Sequence, residues 1–381
     1  MLSKIIRDFA PSGDNNRNSE GAFIRLKNGD ILFAYSRYGG EGCEDGSSAD
    51  IYGSVSTDEG ESFGEPFRII SREILNADNL MSVSFLRMEN GDLGMFFLAK
   101  TEIVNCRSFF IRSTDEGKTW SAPLLCSGNE GYFVVNNDRI IKGENGRILI
   151  PCAKHIPICE IDGYGNKSVE GVEPGELYIF ASDDDGKSFY TLSKGTKLPV
   201  CEGCTTGVQE PALIYSGDNK IRCFIRNDSG RQYEAFSCDN GKTWSEPSLS
   251  RFTSAESPLS VKRLKNGDLI TIWNPIPLYN GIEEEVNGVW TGARTPLVMA
   301  LSHDNGKTFS EPFALETDKK RGFCYTAIFE TDDNSILLGY CAGGEEDGCT
   351  LNRLRIRKIK IKIHERGFST CWTTKKSQSF L

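Results

Sequence analysis

Histidine is nearly absent: the 381 residues hold three, at positions 155, 303 and 364. Side chains so few and so scattered exclude a His-rich metal centre, and with it a metal-dependent lyase. No stretch reaches eighteen apolar residues, which excludes a transmembrane helix. The opening MLSKIIRDFA has no apolar core, so no secretory signal is read there and a cytoplasmic protein is expected. Basic residues are in deficit, 44 Lys and Arg against 53 Asp and Glu, for a net charge of −9. That balance argues against nucleic acid or an anionic membrane as partner. An anionic small molecule stays possible where a local cluster of arginines overcomes the overall field. The thirteen cysteines are an odd number without a signal, so they read as reduced thiols. Only Cys201 and Cys204 are closely spaced, with no second pair to match, so they too read as plain thiols. No cofactor is implied. What remains is globular composition, 38% apolar and 25% charged with 39 Gly, which excludes disorder, collagen and coiled coil.

One motif occurs five times: STDEGESF from Ser56, STDEGKTW from Ser113, SDDDGKSF from Ser182, SCDNGKTW from Ser237 and SHDNGKTF from Ser302. The spacings of 57, 69, 55 and 65 residues suit a four-stranded unit with variable loops. Its parts are those of a hairpin turn. The Asp carboxylate can accept from backbone N–H groups, and the Gly takes a positive φ without a Cβ clash. The aromatic then packs back into the sheet. A second set of turns runs out of phase with the first, at Asn28-Gly29, Asn90-Gly91, Asn145-Gly146, Asp218-Asn219, Asn266-Gly267 and Asp333-Asn334. Turn residues between alternating apolar runs signal hairpins. The count is six inner hairpins and five outer ones. LRIRKIKIKI supplies a third strand to the last unit, and the N-terminal LSKIIRDF can supply the fourth. The expected fold is all-β, a six-bladed propeller of four-stranded antiparallel blades closed by its own N-terminus. It forms one domain over residues 1–365, with 366–381 as a tail.

This topology puts all eleven turns on one face. The other face is built from inner-strand starts, second-strand ends and the loops that follow them, where a rigid scaffold carries function. Those positions hold Glu20, Asn79, Asn137, Asp138, Arg139, Glu210, Glu256 and Tyr325; then Arg37, Lys100, His155, Arg226 and Asn274; then Asp45, Asp50 and Arg294. Acids, arginines and a tyrosine converging on one mouth point to a pocket for a polar ligand. Glu210 with Arg226 also fits a structural ion pair, Tyr325 a core aromatic, and Asn137 a turn cap.

The five repeats resemble the Asp boxes, or BNR repeats, of sialidases and related six-bladed propellers, and the resemblance covers nearly the whole chain. It implies an exo-acting, retaining glycoside hydrolase that removes terminal sialic acid or a related anionic sugar from a small glycan. Tyr325 in GFCYTAIF matches the family's nucleophile, and Glu210 in VQEPALIY its base. Asp45 matches the acid/base, with Asp50 as competitor. Arg226 and Arg294 match two of the three arginines that clamp the substrate carboxylate. A neutral tyrosine nucleophile avoids the repulsion that a carboxylate would meet from an anionic sugar. The first clamp arginine has no match: the segment reads NRNSEGAFIRL, with Ser19 or Glu20 at that place. Arg17, Arg37 or Arg139 could supply the charge, Arg139 being favoured, and Asn137 and Glu20 join the substrate-binding set. Two alternatives follow: the same chemistry on a non-sialic sugar, or a carbohydrate-binding propeller without catalysis. Retention of both Tyr325 and Glu210 argues against the second.

Overall fold

The computed structural model describes residues 2–40, 42–128, 130–143, 145–161, 167–199 and 204–360. The expected boundary at 365 and the tail 366–381 lie outside them. The described residues form an all-β fold, with three 3₁₀ turns and no α-helix. No helix among them is long and apolar enough to cross a membrane.

The strands pair in successive antiparallel runs. The first run joins Asn15–Arg25, Ile31–Gly39, Ala49–Ser56 and Phe67–Ile70. The next joins Asn79–Arg87, Leu93–Glu102, Asn105–Ser113 and Leu124–Leu125. In the third, Tyr132–Val134 and Ile141–Lys142 both pair with Ile148–His155, which continues to Glu176–Ser182 and Tyr190–Thr196. Gln209–Gly217, Lys220–Arg226, Arg231–Ser237 and Ser248–Thr253 follow. Then come Ser260–Arg263, Leu269–Trp273, Leu297–Ser302 and Phe313–Glu316. The last run joins Cys324–Glu330, Ser335–Cys341 and Leu354–Lys360, and its fourth strand is the N-terminal Leu2–Phe9. Arg355 fastens that seam with Nε 2.8 Å and Nη2 2.9 Å from the two Asp8 oxygens.

Strands buried on both faces read as apolar runs, and each run packs on its neighbours. Ala22, Leu32 and Ala34 of the first meet Val83, Met95 and Phe97 of the second. Phe23, Phe33 and Tyr35 of the first also meet Ala327, Leu337 and Ile356 of the last.

The five repeated motifs carry one hydrogen-bond set. In the Ser113 copy, Ser113 Oγ donates to Asp115 Oδ1 at 2.8 Å and accepts from Gly117 N at 2.7 Å. Thr119 N and Thr119 Oγ1 donate to the two Asp115 oxygens at 2.9 and 2.7 Å. The same four bonds recur around Asp58, Asp184, Asp239 and Asp304. Gly117 sits at φ 85 and the residue before it, Glu116, at φ 61, both left-handed. These bonds hold the Asp115 carboxyl down to about 2, chiefly through Thr119 N and Oγ1. Asp304 is likewise held to about 2, chiefly by Thr308. A carboxyl depressed in the folded state stabilises above its unfolded pKa, and that contribution is lost as pH falls toward the folded value. The share of stability to urea that these turns supply is therefore expected to be flat above about pH 4 and to fall between about pH 4 and 2. A urea midpoint that stays constant down to pH 2 would contradict this.

Two corrections concern this scaffold. The residues Asn137 to Arg139 do not start an inner strand. They form a break between Tyr132–Val134 and Ile141–Lys142. Ten of the cysteines are free, but Cys204 is disulfide-bonded, so the expectation of thiols throughout does not hold. Cys201 lies outside the described residues.

Candidate active site

The mouth is shaped by one irregularity used repeatedly. Inner strands lose register between Ser19 and Ala22, Met81 and Ser84, Gln209 and Ala212, and Cys324 and Ala327. At each bulge one non-glycine residue is left-handed: Glu20 (φ 60), Ser82 (φ 59), Glu210 (φ 38) and Tyr325 (φ 58). A bulge re-aims a side chain, and such strain, about 1–3 kcal/mol per residue, persists only where the surroundings enforce it. Asp138, at φ 53, takes the equivalent place in the broken third strand.

Asn137 and Asp138 do the enforcing. Asn137 Nδ2 donates to Gly21 O at 2.6 Å and to Tyr325 O at 3.1 Å, so it ties the third run to the first and the last. The Asp138 carboxylate accepts from Lys262 Nζ at 2.8 Å and from Ile328 N at 2.9 Å. Asn137 is thereby engaged with backbone carbonyls rather than turned to a ligand.

Above this brace lies a cavity of about 800 Å³. Its lining brings together Tyr325, Glu210, Asp45, Arg226 and Arg294. Arg226 Nη1 lies 2.5 Å from Glu210 Oε2 and 3.5 Å from Tyr325 Oη, and its Nη2 lies 3.2 Å from Glu256 Oε1. Arg294 stands over the Tyr325 ring at 5.3 Å and the Trp290 ring at 4.9 Å. Burial and the neighbouring Glu210 charge push the Tyr325 hydroxyl above its ordinary pKa, against the pull of the two arginines. A tyrosine so placed is neutral at rest and needs a base to lose its proton.

The Asp45 side chain also lines the cavity. Arg17 Nη1 lies 2.6 Å from Asp45 Oδ1, and Arg17 itself is buried against the Tyr38 ring. The Arg17 charge keeps the Asp45 carboxyl below its ordinary value, against burial. Ile103, Tyr132, Val134, Pro157, Val169 and Val172 make an apolar wall along the cavity. Half of it comes from the hairpin Pro157–Ile161 and Lys167–Val172, which the sequence shows only as a long loop. Trp290, in the loop 275–293, was also missed.

The remaining candidates are placed elsewhere. Arg37 pairs with Asp14 at 3.2 Å and covers the Tyr52 ring. Asp50 accepts from Arg72 N at 2.9 Å and pairs with Arg68 at 3.5 Å. Neither lines the cavity. Arg37 and Asp50 stand opposite each other in the strand register, and both turn to their own loops. Arg139 is buried beneath the floor, with Nε and Nη2 lacking a hydrogen-bond partner. Glu20 is buried too, accepting from Ser82 Oγ at 3.2 Å, with Arg17 Nη2 at 3.7 Å. Burial raises its carboxyl to about 7 against the Arg17 charge. Among the described residues no group of three or more His, Cys, Asp or Glu could hold a metal ion.

The arrangement offers a tyrosine oxygen, a carboxylate bridged to it by an arginine, a second arginine, and a second carboxylate. Such groups suit attack at an electrophilic carbon with proton transfer.

The BNR repeat-like domain family matches residues 29–339. A sialidase of Bacteroides fragilis (strain YCH46) is 25% identical over 246 residues, which are 60% of this chain and 38% of that protein. The chain thus matches well under half of that relative's length. A protein of unknown function from Dyadobacter fermentans superposes with a TM-score of 0.67 at 16% identity, over 94% of this chain and 99% of that one. The NanB sialidase of Streptococcus pneumoniae gives 0.66 at 13% identity, over 94% and 70%. A mutant Trypanosoma rangeli sialidase displaying trans-sialidase activity gives 0.67 at 14%, over 93% and 58%. At these identities the likeness is one of fold.

Proposed function

The chain belongs to the BNR repeat-like family of the sialidase superfamily, and from that premise we propose a retaining, exo-acting glycoside hydrolase of sialidase type. Its scaffold is a six-bladed propeller forming one domain, the six antiparallel runs being the blades and the N-terminal strand closing the last. The packing of the first run against the last supports this closure.

One observation carries the catalytic reading: Arg226 Nη1 touches both Glu210 and the Tyr325 hydroxyl, in a cavity that Asp45 and Arg294 also line. Tyr325 attacks the anomeric carbon while Glu210 takes its proton. Asp45, which must first take up a proton against the Arg17 charge, gives it to the leaving oxygen and then activates the water that releases the sugar. Arg226 and Arg294 hold the anionic group of the sugar. Two successive inversions, the tyrosine attacking from one face and the water from the other, return the starting anomer.

The test is hydrolysis of an aryl α-sialoside followed by proton NMR. Turnover with the α-anomer appearing first is expected. Release of the β-anomer first would sink the retaining mechanism. Glu20 favours a second reading, the same chemistry on a different sugar. An acid near the Asp45 and Glu210 charges adds negative potential where a sugar carboxylate would sit. Turnover of uronic or other ketosidic aryl glycosides in place of the sialoside would select it. Binding of these glycosides without turnover would mark a lectin-like pocket.

A further inference from the structure

Arg294 raises a question of charge balance that the glycosidase reading leaves open. It is 3% exposed, so its guanidinium needs a counter-charge. Its acceptors are Cys324 Sγ at 3.1 Å and the Glu256 carbonyl oxygen at 3.3 Å, and its flat faces meet Trp290 and Tyr325. None of these partners is a carboxylate. The one ionisable acceptor is the Cys324 sulfur, whose proton would otherwise point at a permanent cation.

Cys324 has a second thiol beside it. In the ladder between Cys324–Glu330 and Ser335–Cys341, Cys324 stands directly opposite Cys341, and both are free and buried. The two side chains pack in one buried cluster. Opposed residues of an antiparallel pair have Cα atoms about 4.5–5.5 Å apart. That falls inside the span of about 4.4–6.8 Å that a disulfide bridges. Burial pushes the Cys324 thiol up, but the neighbouring Cys341 and the Arg294 charge outweigh it and hold the thiol below its ordinary value. Tyr325 and Arg294, its covalent and polar neighbours, line the cavity, so a small neutral reagent would reach the buried sulfur from that side.

We propose that Cys324 is a modification site, a thiolate held by Arg294 that hydrogen peroxide oxidises and that Cys341 then converts to a disulfide. In the first step the thiolate sulfur attacks a peroxide oxygen and the O–O bond breaks. Cys324 becomes a sulfenic acid, oxidised by two electrons, and hydroxide leaves. In the second step the Cys341 sulfur displaces that oxygen; an S–S bond forms and the Cys341 proton leaves with it as water. The bridge takes from Arg294 the one ionisable acceptor of its hydrogen bonds, at the base of the proposed sugar site.

The experiment exposes the intact protein to hydrogen peroxide, alkylates the remaining thiols, digests without reductant and weighs the peptides. The expected product is a linked pair carrying Cys324 and Cys341, two hydrogens lighter than the separate peptides and separated by dithiothreitol. A Cys341→Ser variant is expected to stop at a dimedone-trapped sulfenic acid on Cys324. An Arg294→Gln variant, checked for folding by circular dichroism, is expected to react about tenfold slower, the change in thiolate fraction per unit of thiol pKa. The proposal is overturned if Cys324 stays reduced at a dose that oxidises the exposed Cys238. It is also overturned if Cys324 links instead to Cys349, or if Arg294→Gln reacts at the parent rate. All readouts are masses, so failure here leaves the glycosidase reading standing, and absence of glycosidase activity leaves this one standing.

Discussion

Tyr325→Phe is expected to cut turnover of the best aryl glycoside by about a thousandfold or more, the scale seen when a nucleophile is removed. The change deletes one oxygen atom whose recorded contact is Arg226 Nη1 at 3.5 Å, and the ring stays packed under Arg294. Ligand affinity and thermal midpoint are therefore expected to move little, which separates loss of chemistry from loss of fold. Asp45→Asn supplies the contrast. A general acid contributes about 10²–10⁴-fold, and most where the leaving group needs the proton. The Asp45 variant should thus lose far more activity on an alkyl or sugar aglycone than on a nitrophenyl one, whereas the Tyr325 variant loses both alike. A Phe variant as active as its parent would remove Tyr325 from the nucleophile role and take the retaining mechanism with it.

Glu316→Ala is expected to lower stability by about 3–5 kcal/mol, the range for breaking a buried ion pair on one side. Glu316 Oε1 accepts from Tyr340 Oη at 2.6 Å, Arg357 Nη2 at 2.6 Å and Arg355 Nη1 at 3.0 Å. It joins the fifth run to the last. Its removal leaves two buried guanidinium groups short of negative charge beside the N-terminal seam. A fall in thermal midpoint of about 4–6 °C would accompany the change. Glu65→Ala is the control: the Glu65 carboxylate pairs with Arg7 at 3.0 Å but is 89% exposed. Such surface pairs are worth about 0–1 kcal/mol. Equal effects from the two substitutions, measured by urea unfolding, would deny Glu316 its structural weight.

What the sequence disclosed and what it withheld follow from the range of the forces involved. The Ser-x-Asp-x-Gly turns are legible because all their bonds close within a few residues, as around Asp115. The pairing of Leu2–Phe9 with Leu354–Lys360 is legible for another reason: a last unit short of one strand and a spare strand at the other end have one solution. Tyr325, Glu210, Arg226 and Arg294 could be gathered on one mouth because strand order alone fixes which ends share a face. The same reasoning gathered Arg37 and Asp50 wrongly to the cavity. Strand order does not say which way a side chain turns at a strand end, and both are drawn outward by Asp14, Arg68 and Arg72. The bulges at Glu20, Ser82, Glu210 and Tyr325 were invisible as well. No local signal announces a left-handed Tyr or Glu, and the conformation is imposed by neighbours such as Asn137, 188 residues from Tyr325.

That last separation bears on when the protein becomes able to act. During synthesis Asn137 leaves the ribosome long before its partner Tyr325, and Asp138 waits likewise for Ile328, 190 residues on. Asp8 waits longer still, since Arg355 comes 347 residues later. Contacts of such reach form slowly and expose unpaired edges meanwhile. A nascent chain halted before Tyr325 would hold Glu210, Arg226 and Arg294 without the floor that fixes them. The proposed site is thus complete only once Tyr325 and the strand Leu354–Lys360 have been made, rather than growing by degrees with chain length. Products that stop before Tyr325 would lack the proposed site, and would betray themselves by their open strand edges.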